Sequence, residues 1–240
     1  MTPGKVFIVG AGPGDPGLIT VKGMDLLRDA EVLIYAGSLV NPALVSASRA
    51  AVKLDSWGMS LAELVEAMVS AVREGKKVVR LHSGDPSLYG AIVEQIRALD
   101  EQGVSVEIVP GVSSMFGAAA ALGTQLTLRG VSDSLIVTRP AGATLEEDQI
   151  TTLSALGTTL VVFLGTEHLE EVLAKLDRPE NTPVAVVYHA TWPDQIIVRG
   201  TIRDIAGKAR EAGITKTALI LIGGVVDPEQ TGYQHSVLYS

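Results

Sequence analysis

The 240-residue chain contains no cysteine. Disulfides, thiol nucleophiles and cysteine metal sites are therefore excluded, and the redox compartment is left open. Basic residues are in the minority, 19 against 27 acidic, which gives a net charge of −8 and a pI near 5.0. Such a surface supplies no broad basic field for nucleic acid, although a local basic patch inside a cleft stays compatible with it. Long apolar runs are missing too: the longest, Ala218 to Val226, is about half a membrane span, and no apolar stretch precedes the first strand. The expectation is a soluble cytoplasmic protein with neither nucleic acid nor membrane as partner. Histidine is sparse and scattered at His82, His168, His189 and His235, with no His-x-x-x-His or comparable pair. No metal site is expected on that inventory, and Glu167-His168 with Glu170-Glu171 reads as the acidic solvent face of a helix.

Hydrophobic residues make up 47% of the chain, enough to bury one large core or two smaller ones. Short β-branched runs alternate with longer amphipathic segments, the pattern of an α/β protein. Strands are expected at 6–9, 32–35, 51–54, 78–81 and 104–109, then at 135–138, 159–164, 184–188, 196–198 and 218–222. Leu61, Leu64, Val65, Met68, Val69 and Val72 fall at spacings of three and four and form the apolar stripe of one helix. Further helices are expected at 88–99, 167–176 and 202–212. Met115 to Gly123 is apolar and uncharged around its whole circumference, which predicts a fully buried helix and marks the junction between residues 1–114 and 115–240. The connector from Tyr188 to Ile196 is too short for a helical crossover, so its strands are expected to be antiparallel and the sheets mixed.

Glycine-rich loops carry the chemistry. Val9-Gly10-Ala11-Gly12-Pro13-Gly14-Asp15-Pro16 follows a strand as a dinucleotide fingerprint would, yet Asp15 occupies the third glycine's position and no ribose-binding carboxylate ends the strand at Tyr35. Prolines also remove amide donors that a pyrophosphate needs. The loop reads as ligand-facing, with a purely structural turn or a true dinucleotide loop as the other readings. A second loop, His82-Ser83-Gly84-Asp85-Pro86-Ser87-Leu88-Tyr89-Gly90, allows close approach at Gly84 and sets Asp85 either as a helix cap or as a ligand contact. A third, Pro110-Gly111-Val112-Ser113-Ser114, opens a helix with hydroxyls and amides suited to a carboxylate or ribose, or to capping.

The ordered set Val9–Pro16, Leu18-Ile19-Thr20-Val21-Lys22-Gly23, Gly84–Gly90, Pro110–Ser114 and Ala190-Thr191-Trp192-Pro193-Asp194-Gln195 resembles the tetrapyrrole methylase family. The likeness runs from Lys5 to about Tyr239. Tyr35-Ala36-Gly37-Ser38-Leu39-Val40 and Tyr188–Pro193 are similar to the branch that methylates carbon 11 of precorrin-4. The resemblance implies a two-domain α/β homodimer that holds folded S-adenosyl-L-methionine in the interdomain cleft and acts on precorrin-4 or cobalt-precorrin-4. It implies cofactor contacts at Gly84, Asp85, Ser113, Ser114, Leu164 and Ala218, with Asp85 as the electrostatic or positioning residue of catalysis. Relatives often carry methionine where Leu164 stands, and for Leu164 and Ala218 an ordinary core role is the other reading.

A sulfonium methyl is already a strong electrophile, so alignment within a closed site needs no nucleophilic side chain. An acceptor rich in carboxylates calls for basic contacts in this acidic protein. Arg139 and Arg129 are candidates for those contacts, with Gly12, Pro13, Gly14, His82 and Tyr89 beside the macrocycle. Lys22 and Arg80 read as surface or cap partners. The competing functions are a sibling methylase acting at another ring carbon or on uroporphyrinogen III, a noncatalytic ligand-binding module, and a nicotinamide oxidoreductase.

Overall fold

The computed structural model describes residues 4–236, the side chain of Ser38 excepted, and divides the chain into two compact units, Met1–Ser114 and Met115–Ser240. In the first unit β1 (Lys5–Gly10), α1 (Val21–Asp29), β2 (Val32–Tyr35), α2 (Pro42–Ala47), β3 (Val52–Asp55), α3 (Leu61–Arg73), β4 (Val78–His82), α4 (Ile92–Glu101) and β5 (Ser105–Val109) alternate along the chain. Their sheet has the order β3-β2-β4-β1-β5 and is parallel throughout. The expected mixing of strand directions is therefore confined to the second unit. A parallel sheet needs crossovers on both faces, and side chains alternate between them. Val6, Val32, Ile34 and Val78 meet α3 and the Leu99 side of α4, while Val9, Leu33, Val79 and Leu81 meet Leu27 of α1 and Leu44 of α2.

The helices begin where local chemistry satisfies their free amides. Thr20 caps α1, and Ser60 with Glu63 forms a reciprocal capping box on α3. The α3 stripe is buried at Leu64, Val65, Met68, Val69 and Val72, with Leu61 exposed at its start. The fourth helix departs from expectation: it starts at Ile92, not Leu88, because Tyr89 and Ala91 both take left-handed backbone, φ 55° and 47°. That conformation cannot continue a right-handed helix.

The second unit comprises α5 (Ser114–Leu122), β6 (Leu135–Thr138), α6 (Ile150–Ser154), β7 (Thr159–Val162), α7 (Leu169–Ala174), β8 (Pro183–Tyr188), β9 (Ile196–Thr201), α8 (Ile205–Glu211), β10 (Ala218–Ile222) and α9 (Pro228–Thr231). Its sheet order is β6-β7-β10-β8-β9; β6 and β7 are parallel and every other pair is antiparallel, including β8 with β9. Leu160, Val162, Val184, Val186, Ile220 and Ile222 form the core with Ile150, Leu169, Val172 and Ile205. Helix α5 is not buried all round: Met115, Ala118, Ala119 and Leu122 are inside, whereas Phe116 and Ala120 are exposed. Its last carbonyl, on Leu122, accepts a 2.7 Å hydrogen bond from Arg199 of β9. A guanidinium there both pairs an orphan acceptor and opposes the negative end of the helix dipole.

One glycine of this unit tests the helical reading. Gly207 lies inside α8, and a Cβ added there would touch nothing within 4 Å. Gly207→Ala is expected to raise stability by about 0.5–1 kcal/mol, since alanine spends less conformational entropy in a helix. Chemical denaturation at equilibrium measures it, and a loss of stability would show that the position is not open.

Candidate functional site

Because β4, β1 and β5 are adjacent and parallel, the loops that follow them leave the same edge of the sheet. Open parallel sheets bind ligands there. Gly10–Pro16, Ser83–Gly90 and Pro110–Ser114 are not merely neighbours; three glycines lock them together. A Cβ on Gly10 would lie 2.6 Å from the Cα and N of Gly111 and 2.7 Å from the Gly84 carbonyl oxygen. Gly12 and Gly84 exchange backbone hydrogen bonds of 3.2 and 2.9 Å, and Ala11 N–H donates to the His82 carbonyl at 2.7 Å. Backbone meets backbone at this junction, so no side chain fits.

Asp85 completes the lock. Its Oδ2 accepts from Gly111 N–H at 2.8 Å, and Oδ1 accepts from the Ser87 amide at 2.8 Å and from the Ser87 hydroxyl. Asp85 is thus no cap for α4, which begins seven residues later; it caps its own turn and ties the β4 loop to the β5 loop. Partial burial pushes the carboxyl upward, but the hydrogen bonds from Ser87 and Gly111 outweigh it and hold the group below the ordinary carboxylate range. It is charged at neutral pH and keeps lone pairs for a further donor.

His82 serves the same loop. Its Nε2 faces the Gly90 carbonyl at 3.1 Å and Nδ1 faces that of Ser83 at 3.3 Å. Burial first, and the nearby Arg80 charge as well, lower its pKa against the pull of those carbonyls and of Asp85. The neutral ring donates across the loop rather than presenting a charge. Arg80 is not at the surface: it is buried on β4, where burial, partly offset by Asp55, brings its pKa down to about 10. Its Nε and Nη1 have no partner among the described residues.

The other residues sort by position. Gly12, Pro13 and Gly14 are buried, and the Gly14 carbonyl accepts from the side-chain amide of Asn41 at 2.9 Å; Asn41 before Pro42 reads locally as the cap of α2, which it is, and its reach to Gly14 has no local signal. Ser113 is buried, Ser114 half-buried, and Tyr89 exposed on its left-handed backbone. Lys22 pairs with Glu107 at 2.6 Å, away from the loops' lock, as a surface residue does.

In the second unit, the ends of β6, β7 and β8 and the start of β10 share one edge, where Ala218 pairs with Tyr188. Leu164, His189 and Thr217 all have left-handed backbone there, φ 55°, 44° and 59°. Such strain in non-glycine residues collects at functional edges. Leu164 is 64% exposed, so it is no core residue, and the expected strand ends at Val162 because Leu164 turns outward. Ala218 does pack in the core, and its carbonyl accepts from the Thr166 hydroxyl at 2.8 Å. Arg139 follows β6 on this same edge and holds the Thr144 carbonyl at 2.9 Å. Arg129 lies in the loop before β6, at the opposite edge, with its guanidinium on the His235 carbonyl at 2.9 Å. The structure does not bring it to Leu164 and Ala218.

Among the described residues no group of three or more His, Asp or Glu side chains is placed to hold a metal ion, and no helix is long and apolar enough to cross a membrane. The edge of the first unit offers backbone, small residues and a fixed carboxylate, which suit a cationic group. The edge of the second unit offers backbone and one exposed leucine, which suit an apolar group.

Comparison with known proteins gives that chemistry a family. Residues 5–206 match the tetrapyrrole (corrin/porphyrin) methylases, and the chain belongs to that family. A cobalt-precorrin-4 C(11)-methyltransferase of Methanocaldococcus jannaschii is 51% identical over 98% of this chain and 92% of its own. The crystal structure of a cobalt precorrin-4 methyltransferase superposes with a TM-score of 0.90, at 46% identity, covering 93% of this chain and 96% of that one. A uroporphyrin-III C-methyl transferase from Thermus thermophilus, complexed with S-adenyl homocysteine, is more distant: TM-score 0.76 and 29% identity over 93% of this chain and 94% of that one.

Proposed function

We propose that this protein transfers a methyl group from S-adenosylmethionine to carbon 11 of precorrin-4 or of its cobalt complex. The observation that carries the reading is identity of 51% across nearly the whole of both chains with a methyltransferase of that specificity. S-adenosylmethionine supplies a methyl group already activated by the sulfonium, so the chain needs to bind, align and exclude water. Gly84, Asp85, Ser113 and Ser114 hold the amino-acid end, where the Asp85 charge favours a cation. Leu164 and the Ala218 backbone receive the adenosyl part. The carboxylates of the acceptor meet Arg139, with His82, Tyr89 and Gly12–Gly14 bordering the ring; Arg129, held elsewhere, has no part in this reading.

The test is turnover under anaerobic conditions with precorrin-4 and with its cobalt complex. One added methyl at carbon 11, located by product mass and carbon spectra, is the expected result. Attachment elsewhere, or turnover of uroporphyrinogen III alone, would move the protein to a sibling specificity. Calorimetry is expected to give one S-adenosylmethionine per chain, displaced by S-adenosylhomocysteine, and no binding of NAD or NADP.

The assembly proposed is a homodimer. The family resemblance supports it, and the uncharged α5 leaves Phe116 and Ala120 exposed to a partner. Light scattering at micromolar concentration is expected to give twice the 25.1 kDa chain mass. A strictly monomeric mass would remove the proposal.

A further inference from the structure

Resting on that reading, we infer that His189, oriented by Asp194, is the base that takes the proton released when the ring carbon is methylated. The need for a base follows from charge. A carbon conjugated with a ring nitrogen gives its π electrons to the methyl; the C–CH3 bond forms as the methyl–sulfur bond of the sulfonium breaks, the electron pair of that bond stays on sulfur in the departing S-adenosylhomocysteine, and the ring nitrogen is left cationic. Breaking its N–H bond returns the electron pair to nitrogen and restores a neutral conjugated ring; the proton forms a new N–H bond on an acceptor. No oxidant or reductant enters the balance.

The chain holds four histidines, and their surroundings differ. Both nitrogens of His82 face carbonyl oxygens within its own loop. His168 sits on an exposed turn with only a 3.4 Å contact to Glu171, and His235 packs edge-on to Tyr233 near the chain's end. His189 alone is braced by a carboxylate at close range: Nδ1 lies 2.9 and 3.1 Å from the two oxygens of Asp194. A carboxylate can only accept, so the neutral ring carries its proton on Nδ1 and leaves Nε2 as a bare acceptor. Nε2 has no hydrogen-bond partner among the described residues, and 19% of the side chain remains accessible.

The ring is also held rigidly. It stacks on Tyr188 at 3.9 Å between centroids and on Trp192 at 5.1 Å, and both contacts restrain its plane. That stack of consecutive residues exists because His189 takes left-handed backbone at φ 44°, followed by Thr191 at φ 71°. The loop is closed by Trp192 N–H to the His189 carbonyl at 2.9 Å and by Thr191 N–H to the Gln195 side chain at 2.8 Å. Two strained residues and two loop-closing hydrogen bonds, one of them to a side chain, thus serve to place one imidazole. They place it at the sheet edge that carries Leu164 and the Ala218 backbone, one residue beyond the Tyr188–Ala218 pair. Placement, a braced tautomer and an open nitrogen are what a general base requires.

Nitrogen-15 spectra of the wild-type protein without ligands come first, since they need no acceptor. The neutral His189 ring is expected to carry its proton on Nδ1, and Asp194→Asn to mix the tautomers; a proton on Nε2 in the wild type overturns the inference. Kinetics then use whichever acceptor the wild type methylates, so failure on precorrin-4 counts against the proposed function and not against this base. His189→Gly, which suits the left-handed backbone, is expected to lose about 100-fold or more in kcat with S-adenosylmethionine affinity kept, and to regain turnover when imidazole is added. His189→Asn should show the same loss without the rescue. A rise in acceptor KM at unchanged kcat would make His189 a binding contact, and unchanged kinetics would make the stack purely structural; either result overturns the assignment.

Discussion

Gly10→Ala is expected to destabilise the protein by about 2–5 kcal/mol and to abolish S-adenosylmethionine binding. The added Cβ would stand 2.6 Å from Gly111 Cα and 2.7 Å from the Gly84 oxygen, and all of these are backbone atoms with no rotamer to yield. Overpacking of this sort costs about 1–3 kcal/mol before any relaxation. If the loops move apart instead, the Gly12–Gly84 pair and the Gly111 N–H bond to Asp85 are lost, at about 1–3 kcal/mol for each polar group left buried and unpaired. Gly111→Ala should behave alike, because its Cβ would strike Gly84 O and Gly10 Cα. Urea denaturation with calorimetry of the ligand measures both parts. A Gly10→Ala protein within about 1 kcal/mol of wild type would mean that the three loops are not locked by backbone contact.

Asp85→Ala carries the second large effect. The carboxylate joins two loops, so its removal leaves the Gly111 and Ser87 amides without their acceptor and is expected to cost about 1–3 kcal/mol of stability. In the proposed function it also loses the fixed charge beside the amino-acid end of S-adenosylmethionine, and affinity or turnover should fall by about 100-fold or more. The pH dependence gives a separate check. Asp85 is held below its ordinary value of 3.8, so its contribution is fully present above that pH and is lost as pH falls through the lower value of the folded state. Asp85→Asn should therefore flatten the loss of stability below about pH 4, where the unfolded carboxyl binds protons more readily. Normal ligand binding with reduced stability in Asp85→Ala would leave Asp85 a loop tie alone.

These two positions show how unevenly the sequence speaks. Gly10 ends β1, and Gly84 and Gly111 stand two residues beyond β4 and β5; that much is legible from hydrophobic runs followed closely by glycine. Their mutual contact was not, since only the sheet order β4-β1-β5 makes neighbours of segments far apart along the chain. Asp85 preceding Pro86 reads as a ligand contact or as a cap, and the two are compatible. The left-handed residues Tyr89 and Ala91 decided that it caps no helix, and such backbone is invisible in composition.

The sequence by itself determined the α/β alternation, the antiparallel β8–β9 turn, the stripe of α3 and the ordered loops of a tetrapyrrole methylase. All of these rest on local spacing: period two, period three to four, and short motifs in fixed order. Only the tertiary structure decided that the first sheet is wholly parallel, that Arg80 is buried, that Leu164 faces outward while Ala218 faces in, and that Arg129 lies across the sheet from them. It also joined His189 to Asp194 and stacked the ring on Tyr188 and Trp192. The reason is physical. Local pattern fixes which face of an element is apolar, but strand order, the direction of a crossover and the hand of a single residue's backbone depend on contacts between distant segments, and those exist only once the chain has folded.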